Sequence, residues 1–122
     1  MQSATFNVPN AVLLLMDFEA GDIPESIRGS LFASTRTCIA IGCMSDAEGP
    51  TKVTLGLNKE INEETVPAYV GNLHVPNKRI SVSSVAGDIV LSLETEHPEV
   101  RVSIWVNDAR EPDQVIIGFE PT

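Results

Sequence analysis

Basic side chains are scarce in this chain. Eight lysines and arginines stand against 17 aspartates and glutamates over 122 residues, a formal net charge of −9. That deficit speaks against a nucleic-acid partner, because phosphate is held by Lys and Arg. It speaks against an anionic membrane surface for the same reason. Histidine is as rare. His74 and His97 lie far apart, and no Cys-x-x-Cys or His-x-x-x-His spacing exists, so no zinc site and no cofactor are expected. The acidic turn Asp46-Ala47-Glu48-Gly49 lacks the ligand count of a calcium loop. Aromatic residues are few as well: Phe6, Phe18, Phe32, Phe119, Tyr69 and Trp105. The core must then be built of Val, Ile and Leu, which favours strands over helices.

Long apolar runs are absent too. Val12-Leu13-Leu14-Leu15-Met16 is too short for a membrane span, and no basic segment precedes it as in a secretory signal. Cys38 and Cys43 are the only cysteines. They fall on opposite faces of one extended run and lie roughly 16 Å apart along it, too far to be bridged. Two reduced, buried thiols and a cytoplasmic chain are the expectation.

Catalytic patterns are missing in the same way. There is no Gly-x-Ser-x-Gly, no Gly-x-x-x-x-Gly-Lys and no Gly-x-Gly-x-x-Gly. Ser81, Ser83 and Ser84 interleave with valines and read as the solvent face of a strand. The acids of Glu60-Ile61-Asn62-Glu63-Glu64 and Glu94-Thr95-Glu96 read as solvated loop faces. The sequence therefore predicts a protein that is not an enzyme.

What is present is alternation. In Val100 to Val106 the residues Val100, Val102, Ile104 and Val106 share one face, and Arg101, Ser103 and Trp105 share the other. This is the period of a strand with one face on a core. Arg79–Val85, Asp88–Glu94 and Gln114–Phe119 repeat the pattern, with Ile89, Leu91 and Leu93 on one parity. Upstream, Ala4–Val8 reads as an edge strand, and Ala11–Phe18 as an element covered on both faces. Arg36–Cys43 and Lys52–Leu57 read as a hairpin around the turn Ser45–Pro50. Asn58–Thr65 reads as a loop, Val66–Val70 as a short strand that Pro67 places at an edge or a strand start, and Gly71–Lys78 as a connection.

One helix is expected near residues 23–33. Asp22 supplies a cap, Pro24 suits the first turn, Glu25 completes a capping box, and Ile23, Ile27, Leu31 and Phe32 recur at helical spacing, although Gly29 weakens the pattern. The sum is a single domain over residues 1–122. It is mainly all-β, an antiparallel sandwich or open barrel of about seven to nine short strands.

The order of these features resembles the DNA-entry nuclease inhibitors (competence protein J-like). The likeness runs from the short first strand through Ile23-Pro24-Glu25-Ser26-Ile27 and Gly29-Ser30-Leu31-Phe32 into the strand Thr37–Cys43. It continues with Val66-Pro67-Ala68-Tyr69-Val70, where Ala68 replaces an aromatic, then Ile80–Ser84, a strand ending near Leu93, and Val102-Ser103-Ile104-Trp105. Pro98-Glu99-Val100 stands where that family has a Gly-Tyr turn. The resemblance implies a small β-sandwich that blocks a basic nuclease with an acidic surface. It assigns no role to a named residue.

Composition and resemblance together predict an acidic interaction protein, an inhibitor or immunity-type partner of a basic protein. Its contact surface is sought among Asp17, Glu19, Asp22 and Glu25, or in the turn carrying Asp108, Glu111 and Asp113, with Trp105 as a candidate anchor. Two other readings compete. One is a sandwich that binds a small molecule or carbohydrate on Trp105 and Tyr69. The other is a bacterial or phage assembly subunit, a homo-oligomer held by its sheet edges.

Overall fold

The computed structural model describes residues 1–25 and 30–122. Ten strands form two five-stranded sheets: β1 (Gln2–Phe6), β2 (Val12–Met16), β3 (Phe32–Ser34), β4 (Cys38–Gly42), β5 (Thr51–Leu57), β6 (Tyr69–His74), β7 (Arg79–Ser84), β8 (Ile89–Glu94), β9 (Glu99–Val106) and β10 (Gln114–Pro121). The first sheet has the order β1-β5-β10-β9-β6 and the second β3-β4-β2-β7-β8. Neighbours are antiparallel except β5 and β10, which run parallel. Among the described residues no helix is long and apolar enough to cross a membrane.

The inner faces follow the predicted parity. Val100, Val102 and Ile104 of β9, Val115, Ile117 and Phe119 of β10, and Val53 and Leu55 of β5 meet Leu13, Leu15, Ile39, Ile41, Ile80 and Val82 in one buried cluster. Burying a Leu-sized or Phe-sized side chain is worth about 1.5–3 kcal/mol, so this aliphatic cluster is the main force holding the sheets together. β2 is buried on both faces, as its unbroken apolar run requires. Leu14 and Met16 form a second cluster with Cys38 and Ala40 on the outer side of the second sheet. Gly21 lies against Met16 there; a Cβ at Gly21 would come within 2.3 Å of the Met16 sulfur.

Several sequence expectations are corrected. The helix near residues 23–33 is not found in its described parts. Gly21–Pro24 has no regular structure, and Phe32 enters β3 opposite Ile41. The backbone of Asp22 is engaged elsewhere: its N–H donates to Thr37 Oγ1, and its carbonyl accepts from Thr35 Oγ1. Residues 26–29, which carry Ile27 and Gly29, lie outside the described residues. β3 also raises the strand count to ten.

The β4–β5 hairpin does not exist. Both edges of β4 are taken by β2 and β3, so the turn after β4 crosses to the other sheet, where β5 pairs with β1 and β10. The short strand expected over Val66–Val70 starts only at Tyr69 and runs on to His74. Ile89 is half exposed because a register shift between Val82 and Ser83 separates it from Leu91 and Leu93. Ser81, Ser83 and Ser84 are buried rather than solvated. Their strand lies inside the sheet, between β2 and β8, and Ser81 and Ser92 share a hydroxyl hydrogen bond of 3.2 Å.

Candidate functional site

Strand directions give the sandwich two unlike ends. β2, β5, β6 and β10 finish at what we term the upper end, where the His74 N–H donates to the Arg36 carbonyl at 2.9 Å. At the lower end the Met44 N–H donates to the Pro112 carbonyl and the Cys43 N–H to the Ala11 carbonyl, both at 2.9 Å. The sequence-predicted acids divide between these ends. Asp17, Glu19 and Asp22 follow β2 at the upper end, and Asp108, Glu111 and Asp113 form the β9–β10 turn at the lower end. Glu25 is exposed on the segment between Asp22 and Leu31.

Asp17 is not on the surface. It is 3% exposed. Its Oδ2 accepts the Asn77 backbone N–H at 2.7 Å, and its Oδ1 accepts the Asn77 amide at 3.2 Å and the Glu19 N–H at 3.4 Å. A buried carboxylate must be satisfied in this way. Here it ties the exit of β2 to the β6–β7 turn.

The upper-end acids are interleaved with bases. Arg79 pairs with Glu94 at 3.0 Å, Arg36 with Glu99 at 3.3 Å, His74 with Glu99 at 2.5 Å, and the N-terminal amine with Glu60 at 3.5 Å. Glu60 also accepts the Leu57 N–H, which holds its carboxyl below the usual range.

The lower end is different. Asp46, Glu48, Asp88, Asp108, Glu111 and Asp113 lie exposed there with only Lys52 and Arg110 of opposite sign, among the described residues. None of the ion pairs among the described residues involves them. The β9–β10 turn is instead fixed by its own backbone. Asp108 Oδ1 accepts the N–H groups of Glu111 and Arg110 at 2.9 and 2.8 Å, and these hold its carboxyl below the usual range. Asn107 Oδ1 accepts from Asp113 and Gln114, and the Asn107 amide donates to Asp113 Oδ1 at 2.6 Å. The Lys52 N–H donates to the Asp113 carbonyl, which joins this turn to the one carrying Asp46 and Glu48. Sequence reasoning missed Asp46, Glu48 and Asp88 as companions of Asp108. Only the crossing of the chain between sheets brings them to one end.

Trp105 and Tyr69 do not form one platform. Tyr69 stands opposite Ile104 on the inner parity, and its ring stacks on Phe32 at 5.1 Å. Trp105 lies on the outer side, half-buried, with its Nε1 donating to the Thr65 carbonyl at 2.9 Å. The cover over that face is the Asn58–Thr65 loop. Gly118 makes room for it, since a Cβ there would come within 3.3 Å of the indole and 3.2 Å of Ile61. The hollow beside Trp105 measures about 180 Å³.

No reactive centre is assembled from the cysteines. Both are free and buried, and burial pushes the Cys38 thiol up to about 12 and the Cys43 thiol to about 11. Among the described residues no three His, Cys, Asp or Glu side chains gather closely enough to hold a metal ion.

The fold is similar to that of a solved structure, the crystal structure of ComJ, inhibitor of the DNA degrading activity of NucA, from Bacillus subtilis. The TM-score is 0.75, over 100% of this chain and 96% of that chain, at 11% sequence identity. The likeness to the nuclease inhibitors read from the strand order is thus present in the fold. No family model matches the sequence. No curated protein matches it either.

Proposed function

We propose that this protein is a non-catalytic binding partner, of the inhibitor type, for a basic protein, and that it binds through its lower end. The observation that carries this reading is the set of exposed carboxylates there, in no ion pair among the described residues, with the β9–β10 turn bonded to the one that carries Asp46 and Glu48. Fixed charges of one sign attract a complementary surface, speed encounter and set register. Rigid turns reduce the entropy lost on docking. ComJ, which has a similar fold, inhibits the DNA degrading activity of NucA. A nuclease whose substrate is polyanionic carries a basic surface, so a nuclease is the partner class we infer.

The test is capture from native lysate on immobilised protein, followed by an assay of the captured fraction for DNA degradation with and without added free protein. Charge reversal of Asp108, Glu111 and Asp113 to Lys is expected to abolish capture. The same reversal of Glu94, Glu96 and Glu120 at the upper end should leave it intact. Capture should weaken steeply with salt. Capture that ignores salt, or that depends equally on both ends, overturns the reading.

A further inference from the structure

The lower end carries an apolar feature beside its charge. Between the start of β6 and the β9–β10 turn lies a groove of about 440 Å³, walled by Leu31, Phe32, Ala68, Val106 and Ala109, with Asn107 and Asp108 on its rim. A second hollow of about 320 Å³ continues past Leu31 and Ala109 to Arg110. The space exists because Ala68 and Ala109, both exposed, are small. Its shape is held. The Phe32 floor is stacked on Tyr69, and the Asn107–Asp108 rim is pinned by the hydrogen bonds described above. Val66, two residues before Ala68, is 90% exposed, so apolar surface also precedes the groove along the chain.

An apolar groove alone names no occupant, but the charge around this one does. A second copy of the chain would bring the same carboxylates against it and be repelled. An anionic lipid surface would be repelled likewise. The complement is a protein segment carrying positive side chains on either side of an apolar one. Interfaces bind through such an apolar anchor in a pocket with a charged rim around it.

We infer that the groove receives a leucine- or phenylalanine-sized anchor side chain of the basic partner, flanked by lysine or arginine that meet the lower-end carboxylates. This inference rests on the reading of the lower end as the contact surface. It divides binding into two parts: charge, which salt weakens, and burial of the anchor, which salt leaves in place.

Two synthetic peptides test it, one with leucine between two Lys-Arg pairs and one with serine in its place. Binding is read from backbone amide shifts and a titrated Kd. The leucine peptide is expected to bind about tenfold tighter, the worth of partly burying one such side chain, and to shift the amides of Leu31, Ala68 and Ala109. Ala109→Leu fills the groove without changing charge. It should remove the leucine advantage while leaving the serine peptide unaffected, and Ala68→Leu repeats the test from the opposite wall. Equal affinities with shifts confined to the lower end overturn the groove and spare the charge reading. Shifts spread over both ends, or no binding by either peptide, overturn both.

Discussion

At the upper end of the sandwich Glu94 faces Arg79, and Glu99 faces Arg36 and His74. At the lower end Asp108 is hydrogen-bonded by backbone N–H groups and Asp113 by the Asn107 amide, and neither is in an ion pair among the described residues. The residue type is the same, yet the consequence differs. A carboxylate paired with a cation has its field cancelled at short range. A carboxylate held by N–H groups keeps its full charge and gains a fixed direction. Net charge alone therefore does not tell the two ends apart, and the distribution of partners does. The upper end is acidic and ion-paired; the lower end is acidic with only Lys52 and Arg110 of opposite sign, and holds no ion pair among the described residues.

The sharpest way to break this contrast is at Asp17. If upper-end acids are structural, Asp17→Ala must cost stability, because it removes the buried carboxylate that accepts from the Asn77 N–H, the Asn77 amide and the Glu19 N–H. The expected loss is about 2 kcal/mol, the worth of hydrogen bonds to a charged group, read as a lower urea midpoint with unchanged slope. Binding through the lower end should stay as it is. A stability loss below about 0.5 kcal/mol would mean that water replaces the carboxylate, and the structural role would fail.

The next largest effect is expected at Asn107. Its side chain makes three hydrogen bonds across the β9–β10 turn, to Asp113 and Gln114. Asn107→Ala should cost about 1 kcal/mol and loosen the turn, giving faster amide exchange at Asp113 and Gln114. Partner affinity should fall through a faster off-rate, since the charges remain but their placement does not. Unchanged affinity would show that rigidity at the lower end is irrelevant to binding.

Much of the fold was legible in the sequence, and the reasons for the rest are specific. Strand periodicity in β9 and β10 placed the inner face correctly, because a period of two leaves no freedom once one face is apolar. Topology was not legible. Nothing in Ser45–Pro50 distinguishes a hairpin turn from a crossing between sheets; that is decided by which edges of β4 are already occupied. The helical spacing of Ile23, Ile27, Leu31 and Phe32 was overridden in its described parts. Phe32 gains a strand partner in Ile41 and a stacking partner in Tyr69, which a surface helix would not provide. Of the proposed contact residues, Asp108, Glu111 and Asp113 were readable as a charged turn. The groove beside them was not, because Leu31, Ala68 and Ala109 come from three distant stretches that meet only in the folded chain.

Among the upper-end pairs the contrast predicts almost nothing, and that is a usable prediction. Arg79→Ala removes the partner of Glu94 at an exposed site. Such pairs contribute no more than about 1 kcal/mol and often nothing measurable, so the unfolding midpoint should move little at low salt and not at all at high salt.

The smallest effect concerns acid. Asp108 is held below the usual carboxylate range in the folded state by the N–H groups of Glu111 and Arg110. A group with a depressed folded value stabilises the fold above its unfolded pKa and loses that contribution as pH falls through the folded one. The Asp108 carboxyl, followed by carbon NMR, should therefore titrate below the usual aspartate range, and the β9–β10 turn should loosen only once it does. If Asp108 titrates at the ordinary aspartate value, its backbone hydrogen bonds are absent in solution, and the lower-end turn loses the rigidity on which the contrast with the upper end depends.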